Sequence, residues 1–158
     1  MGEVKTRAVG LLIKDGKILL IHRTREGKEF WVFPGGGKED DETVEEAVVR
    51  EIEEESNIKC EIEKLLYIHK YSNLNHTQYF YLCKYISGVP KLGSFNEMQT
   101  MKDEDQTYKP KWVNIDKLSK ILLYPLKIRD WIIKDYRTEF KDTPKTATLK
   151  STDLRQEI

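Results

Sequence analysis

The sequence predicts an α/β fold in which a mixed β-sheet lies between helices, and three observations carry that expectation. Apolar, β-branched runs of strand length recur on both sides of residue 44. One long run, Val44 to Ser56, holds neither Gly nor Pro. A second helical pattern follows Pro125. Strands, a helix, more strands and a last helix suit a sheet covered on both faces.

Taken in order, residues 7–13 and 17–23 are β-branched or aliphatic runs joined at Asp15-Gly16, a strong hairpin signal. Phe30, Trp31, Val32 and Phe33 make a short strand that enters Pro34-Gly35-Gly36-Gly37. The run from Val44 to Ser56 is a helix: Thr43 and Glu46 form a capping-box pattern, and acidic residues crowd its start. Residues 61–71 and 78–86 read as further strands, the second apolar on both faces and therefore inside the sheet. Residues 87–110 form a polar segment with Gly88, Pro90 and Gly93, too long for a simple connector. Residues 111–115 return as a strand, and Pro125 fits the first turn of a helix running to about Tyr136. The expected organisation is one domain over residues 1–137, then a polar tail over 138–158, without periodicity and expected to be mobile.

The chain of 158 residues suffices for one sizeable core. Lys and Arg balance Asp and Glu at 27 each, so no global field marks a partner of nucleic-acid polymers or membranes. Cys60 and Cys83 lack metal-ligand spacing and are read as reduced thiols. No apolar signal run or membrane span is visible, so the expected location is the cytoplasm.

The acidic residues of the first helix fall into two groups. At roughly 100° per residue, Val44, Ala47, Val48 and Ile52 share one apolar stripe, with Glu45, Glu46 and Glu53 roughly opposite on a solvated face. Glu51 and Glu55 fall within the apolar sector, and Glu54 lies at its margin. Like charges three or four residues apart repel by a few tenths of a kcal/mol per pair. The helix dipole disfavours anions in the last turn by roughly 0.3–1 kcal/mol each. Such carboxylates need a positive partner. Arg50 is one, with Glu46 and Glu54 four residues either side, but one Arg cannot neutralise all of these acids. Carboxylate oxygens without nearby Cys or His suit a hard divalent cation, and Mg²⁺ is commonly shared between carboxylates and substrate phosphates.

Gly36, Glu42, Arg50-Glu51-Ile52, Glu54-Glu55 and Ile58 stand at fixed offsets. This pattern resembles the Nudix box, Gly-x5-Glu-x7-Arg-Glu-U-x-Glu-Glu-x-Gly-U, where U is a bulky aliphatic residue. One position departs: Asn57 stands where the family carries Gly. That position looks like a helix C-terminus that wants a left-handed conformation, for which Asn is the next-best residue. The resemblance covers roughly residues 5 to 137 and implies an α/β/α sandwich. It also implies Mg²⁺-dependent hydrolysis, with Mn²⁺ as a substitute, of a pyrophosphate bond in a nucleoside diphosphate linked to another group.

Carried over by position, the resemblance makes Glu51, Glu54 and Glu55 the metal ligands, with the Gly36 carbonyl a further contact. Glu51 doubles as a candidate base, and Arg50 holds the carboxylates in register, together with Glu42. The family often draws its base from a loop beyond the box, where Glu97 is the first candidate and Glu104 the second. Arg23, at the end of the second strand, is a candidate phosphate clasp. His22, His69 and His76 lack ligand spacing and read as structural or surface residues. Among the aromatics, Trp31, Tyr71 and Tyr79 read first as core residues, with one of them a candidate base-stacking group. No subfamily motif for ADP-ribose, dinucleoside polyphosphates, NADH or coenzyme A is present, which leaves a nucleoside triphosphate or an oxidised nucleotide as the favoured substrate. ADP-ribose and nucleotide sugars stay open, as does a non-catalytic nucleotide sensor. An isoprenyl diphosphate isomerase would need a cysteine and histidine context that Cys60 and Cys83 do not provide. A homodimer is common in the family and is compatible with this chain.

Overall fold

The computed structural model describes residues 5–72, 74–91 and 106–149. Strands β1 (Lys5–Lys14) and β2 (Lys17–Arg25) meet at the expected turn, where Asp15 (φ 52°) and Gly16 (φ 75°) both take positive φ. That is the two-residue geometry whose twist matches antiparallel strands. Yet β1 stays with β2 only through Ile13–Ile18 and Lys14–Lys17. Its earlier half turns instead to β4 (Gly35–Gly37), antiparallel, and to β6 (His76–Ser87), parallel. The sheet therefore divides along β1. On one side β2 carries β3 (Lys28–Val32), β7 (Gln106–Asn114) and, beyond β3, β8 (Leu123–Tyr124). On the other, β6 carries β5 (Lys59–Tyr71) and then β9 (Lys145–Leu149).

Helices cover the two faces, as the sequence predicts. Helix α1 (Val44–Ser56) lays Ala47, Val48 and Ile52 against Ala8, Leu12, Leu19 and Cys83, all of them buried. Helix α2 (Leu126–Asp135) places Ile128 and Ile132 against Leu11, Ile18, Leu20 and Phe80 in a second core. Full burial of such aliphatic side chains contributes roughly 1.5–3 kcal/mol each. Cys60 and Cys83 are buried free thiols in the first core. Among the described residues no helix is long and apolar enough to cross a membrane.

Three expectations change. Strand β7 begins at Gln106 rather than Lys111, because it pairs β2 along its whole length, from Lys17–Asn114 to Arg25–Gln106. Its polar first half gave no apolar signal. Pro125 stands at the N-cap of α2, in extended conformation, rather than inside its first turn. Residues 138–149, expected to open a polar tail, belong to the fold. Phe140 is buried in the second core, and β9 runs parallel to β5 from Tyr67–Lys145 to Tyr71–Leu149. Backbone pairing and the ion pair from Lys145 Nζ to Asp135 Oδ1, at 2.8 Å, hold a strand whose one buried side chain is Ala147. Glu97 and Glu104 lie outside the described residues.

Helix α1 starts and stops as the pattern indicates. Thr43 accepts from the Glu46 amide at 3.1 Å, and the Glu46 carboxylate accepts from the Thr43 amide at 3.0 Å. Asn57 closes the helix with φ 64° and ψ 25°, in the left-handed region, its amide bonded to the Glu53 carbonyl. Replacing Asn57 by Gly is expected to change stability by less than about 1 kcal/mol and leave turnover unaltered, because Asn already tolerates this conformation. Thermal melts and initial rates on the same preparation check this; a several-fold change in rate would give Asn57 a role in the chemistry.

Candidate active site

Arg50 ties the acidic helix to the glycine turn. Its Nε and Nη2 form a fork on Glu42, at 3.0 and 2.6 Å. Nη1 reaches Glu51 at 3.0 Å and Glu54 at 3.2 Å, while Nη2 also donates to the Gly37 carbonyl at 3.2 Å. The fork holds the Glu42 carboxyl down at about 2. Glu46, the other acid four residues from Arg50, is committed to the Thr43 cap instead. Arg50 thus acts as the internal counter-charge that the helix pattern demands.

Two acids remain electrostatically costly. Burial raises the Glu51 carboxyl above its usual range, with Arg50 opposing and Glu54 adding to the rise. Glu55, 8% exposed, is pushed up to about 8, first by burial and then by the neighbouring Glu51 charge. Its Oε2 accepts the Gly35 amide at 3.0 Å, and the Tyr108 hydroxyl lies beside this carboxylate and favours its charged form. Glu54, at 58% side-chain exposure, faces solvent.

The glycines are explained by close approach. A Cβ on Gly36 would press into the Glu51 carboxylate, within 2.7 Å of Oε2, and one on Gly35 would stand 2.6 Å from the Ala8 carbonyl oxygen. Gly36 therefore lets backbone and carboxylate share one small volume, as a site for a hard cation requires. Among the described residues no three Asp, Glu, His or Cys side chains are already gathered as a metal site. Arg50 engages oxygens of both Glu51 and Glu54. The donor set nevertheless fits a divalent cation: oxygen ligands alone, two of them raised by burial and by a neighbouring acid, beside a carbonyl with no side chain in the way.

Next to this cluster opens a cleft of about 270 Å³. Arg7 stands where the two meet: its Nη2 donates to the Gly35 carbonyl at 3.2 Å, and its charge lowers both Glu51 and Glu55. Arg23 lines the same cleft, its guanidinium over the Phe30 and Tyr108 rings at 5.7 and 5.1 Å. Its Nε is buried and has no hydrogen-bond partner among the described residues. Arg25, Tyr71, His76 and Gln78 line the cleft too. The structure thus brings Gly36, Arg50, Glu51, Glu54 and Glu55 together, with Arg23 in the adjoining cleft. Arg7 and Tyr108 were missed. Neither stands in a local motif, and only the pairing of β1 with β4 and of β2 with β7 carries them to the site.

The remaining sequence candidates separate. His22 bonds Glu29 at 3.1 Å and packs on Trp31. His69 is fully buried, and burial lowers it to about 4, so it is neutral. Of the three aromatics, Trp31 and Tyr79 pack against the two cores, and Tyr71 reaches the cleft.

A model of the NUDIX domain matches residues 4–134. The chain is 35% identical over 86 residues to a MutT-like protein of Streptomyces ambofaciens, covering 54% of each. It is 48% identical over 61 residues to an ADP-ribose pyrophosphatase of Methanocaldococcus jannaschii, covering 38% of this chain and 36% of that protein. The aligned part of the chain thus spans about half the length of the first relative and about a third of the second. In three dimensions it is similar to an ADP-ribose pyrophosphatase from Streptococcus suis, with a TM-score of 0.64 and 21% identity over 92% of this chain and 99% of that one. At that identity the likeness speaks for the fold.

Proposed function

The chain belongs to the Nudix family, and from that premise we propose that it hydrolyses the pyrophosphate bond of a nucleoside diphosphate carrying a further group, with a nucleoside triphosphate or an oxidised nucleotide as substrate. One observation carries this reading: the raised acids Glu51 and Glu55 adjoin a cleft lined by Arg7, Arg23 and Arg25. A polyanion fits between guanidiniums on one side and cation-binding carboxylates on the other.

Glu51, Glu54, Glu55 and the Gly36 carbonyl would hold Mg²⁺, or Mn²⁺ in its place. The bound cation would draw charge from phosphate oxygens and ease deprotonation of a water. Arg50 keeps Glu42, Glu51 and Glu54 in register through its fork. Glu51 would take the proton of the attacking water on its carboxylate, with Glu97 and Glu104 as the rival bases. Arg7 and Arg23 would grip phosphate oxygens, and the aromatic side of the cleft, with Tyr71 and Phe30, would receive the base or sugar. The buried free thiols suit a reducing compartment, and we place the activity in the cytoplasm.

A second reading, ADP-ribose as substrate, draws on the relative from Methanocaldococcus jannaschii. A panel of standard and 8-oxo triphosphates, ADP-ribose, nucleotide sugars and dinucleoside polyphosphates separates the two. The expected result is Mg²⁺-dependent release of pyrophosphate and a nucleoside monophosphate from triphosphates, lost in Glu55→Gln. Turnover of ADP-ribose alone would replace the substrate. Tight nucleotide binding without any turnover would favour the sensor.

A further inference from the structure

Glu55 is the most enclosed carboxylate of the acidic cluster, and Tyr108, a residue of the cleft wall, reaches it. Tyr108 lies on β7, in register with Arg23 on β2. Its hydroxyl lies beside the Glu55 carboxylate, its ring lies 5.1 Å from the Arg23 guanidinium, and both Tyr108 and Arg23 line the cleft. Arg23 has a buried Nε with no partner among the described residues, and its guanidinium lies over the Phe30 and Tyr108 rings. A guanidinium held by its faces keeps its N–H edges free for an anion.

We propose that Tyr108 is a positioning residue that joins the two halves of the site, its hydroxyl setting the Glu55 carboxylate and its ring setting Arg23. This rests on the hydrolase reading above, in which Glu55 holds the cation and Arg23 the phosphate. The two roles belong to different atoms of one side chain and are therefore separable. Partners that orient a metal ligand commonly contribute 10–100-fold to metal affinity or activity.

Tyr108→Phe keeps the ring and removes the hydroxyl. It is expected to weaken Mn²⁺ binding to the nucleotide-free protein by about 10-fold, read by calorimetry or electron paramagnetic resonance, at the low end of that range. At saturating Mg²⁺ its KM for nucleotide should stay within about twofold of the wild type, because Arg23 keeps its stacking partner. Tyr108→Leu removes both contacts and should weaken Mn²⁺ binding similarly while raising KM by about 5-fold or more, the measure of a loosened phosphate grip. A wall residue with no positioning role would shift the melting temperature of both variants and leave the metal titration and the KM pattern where they were. Wild-type Mn²⁺ affinity in Tyr108→Phe, or an unchanged KM in Tyr108→Leu, overturns the assignment. The metal titration needs no substrate, so it reads the hydroxyl even if the nucleotide panel overturns the hydrolase reading.

Discussion

Glu51→Gln is expected to lower turnover by about 10²–10⁴-fold, the range typical of a positioned general base. The variant keeps the shape of the site. The substituted amide would still offer an oxygen to Arg50 Nη1, now 3.0 Å from Glu51 Oε1, and would fill the space that Gly36 leaves clear. What it loses is a negative charge and a proton acceptor, at a carboxylate that burial already raises. The melting temperature should hold or rise slightly, since a buried charge is removed. Half-saturation by Mg²⁺ should move to higher concentration, because one oxygen ligand is now neutral. Nucleotide KM at saturating metal should move little, since Arg7 and Arg23 are untouched. Initial rates across a Mg²⁺ titration measure turnover, metal dependence and KM together. A rate within about threefold of the wild type would move the base to the segment that holds Glu97 and Glu104 and remove that role from Glu51.

Much of this site was legible in the sequence because it is local. Thr43, Glu46 and Asn57 bracket the helix, and the periodicity between them already sets Glu51 and Glu55 on the buried side. Arg50 reaches Glu42, Glu51, Glu54 and Gly37, all in or beside the same short motif. The rest depends on which strands meet. Arg7 stands at the site because β1 leaves β2 and pairs the glycine turn, with Arg7 opposite Gly37. Tyr108 stands there because β7 pairs β2 as far as Arg25, through residues whose polar sequence gave no strand signal. Strand β9 was missed for a related reason. Its stability lies in backbone pairing to β5 and in Lys145 meeting Asp135, neither of which leaves a periodic trace. Pairing partners far apart in sequence are fixed by the whole sheet, and no local window contains them.

With divalent metal chelated, the protein is expected to lose stability as pH rises from about 6.5 to 9, and Glu55→Gln to remove most of that loss. The sign follows from the two states of Glu55. Its carboxyl titrates near 4.5 in the unfolded chain and at about 8 in the folded one. Between those values the folded protein holds a proton that the unfolded chain has released, so stability falls as pH rises. The contribution is whole below about 4.5 and gone once pH passes about 8. A difference of this size is worth a few kcal/mol, since each tenfold change in proton affinity corresponds to about 1.4 kcal/mol. At roughly 2–4 °C per kcal/mol for a domain of this size, the wild-type melting temperature should fall by several degrees. Glu42 acts in the opposite sense. Held at about 2 by Arg50, it contributes stability above about 4.5 that is lost as pH falls towards 2, and buried His69, held down at about 4, contributes stability above about 6.5 that is lost as pH falls towards 4, so the acid side has its own decline. A glutamine at position 55 cannot ionise yet still accepts the Gly35 amide, so its curve should be flat where the wild type descends. Melting curves in chelator at several pH values, wild type beside variant, provide the measurement. Parallel curves would mean that Glu55 is already ionised in the folded protein at neutral pH. Diverging curves, with Mg²⁺ restoring the wild type at pH 8, would show that the fold gives up stability to keep a carboxylate where a cation can use it.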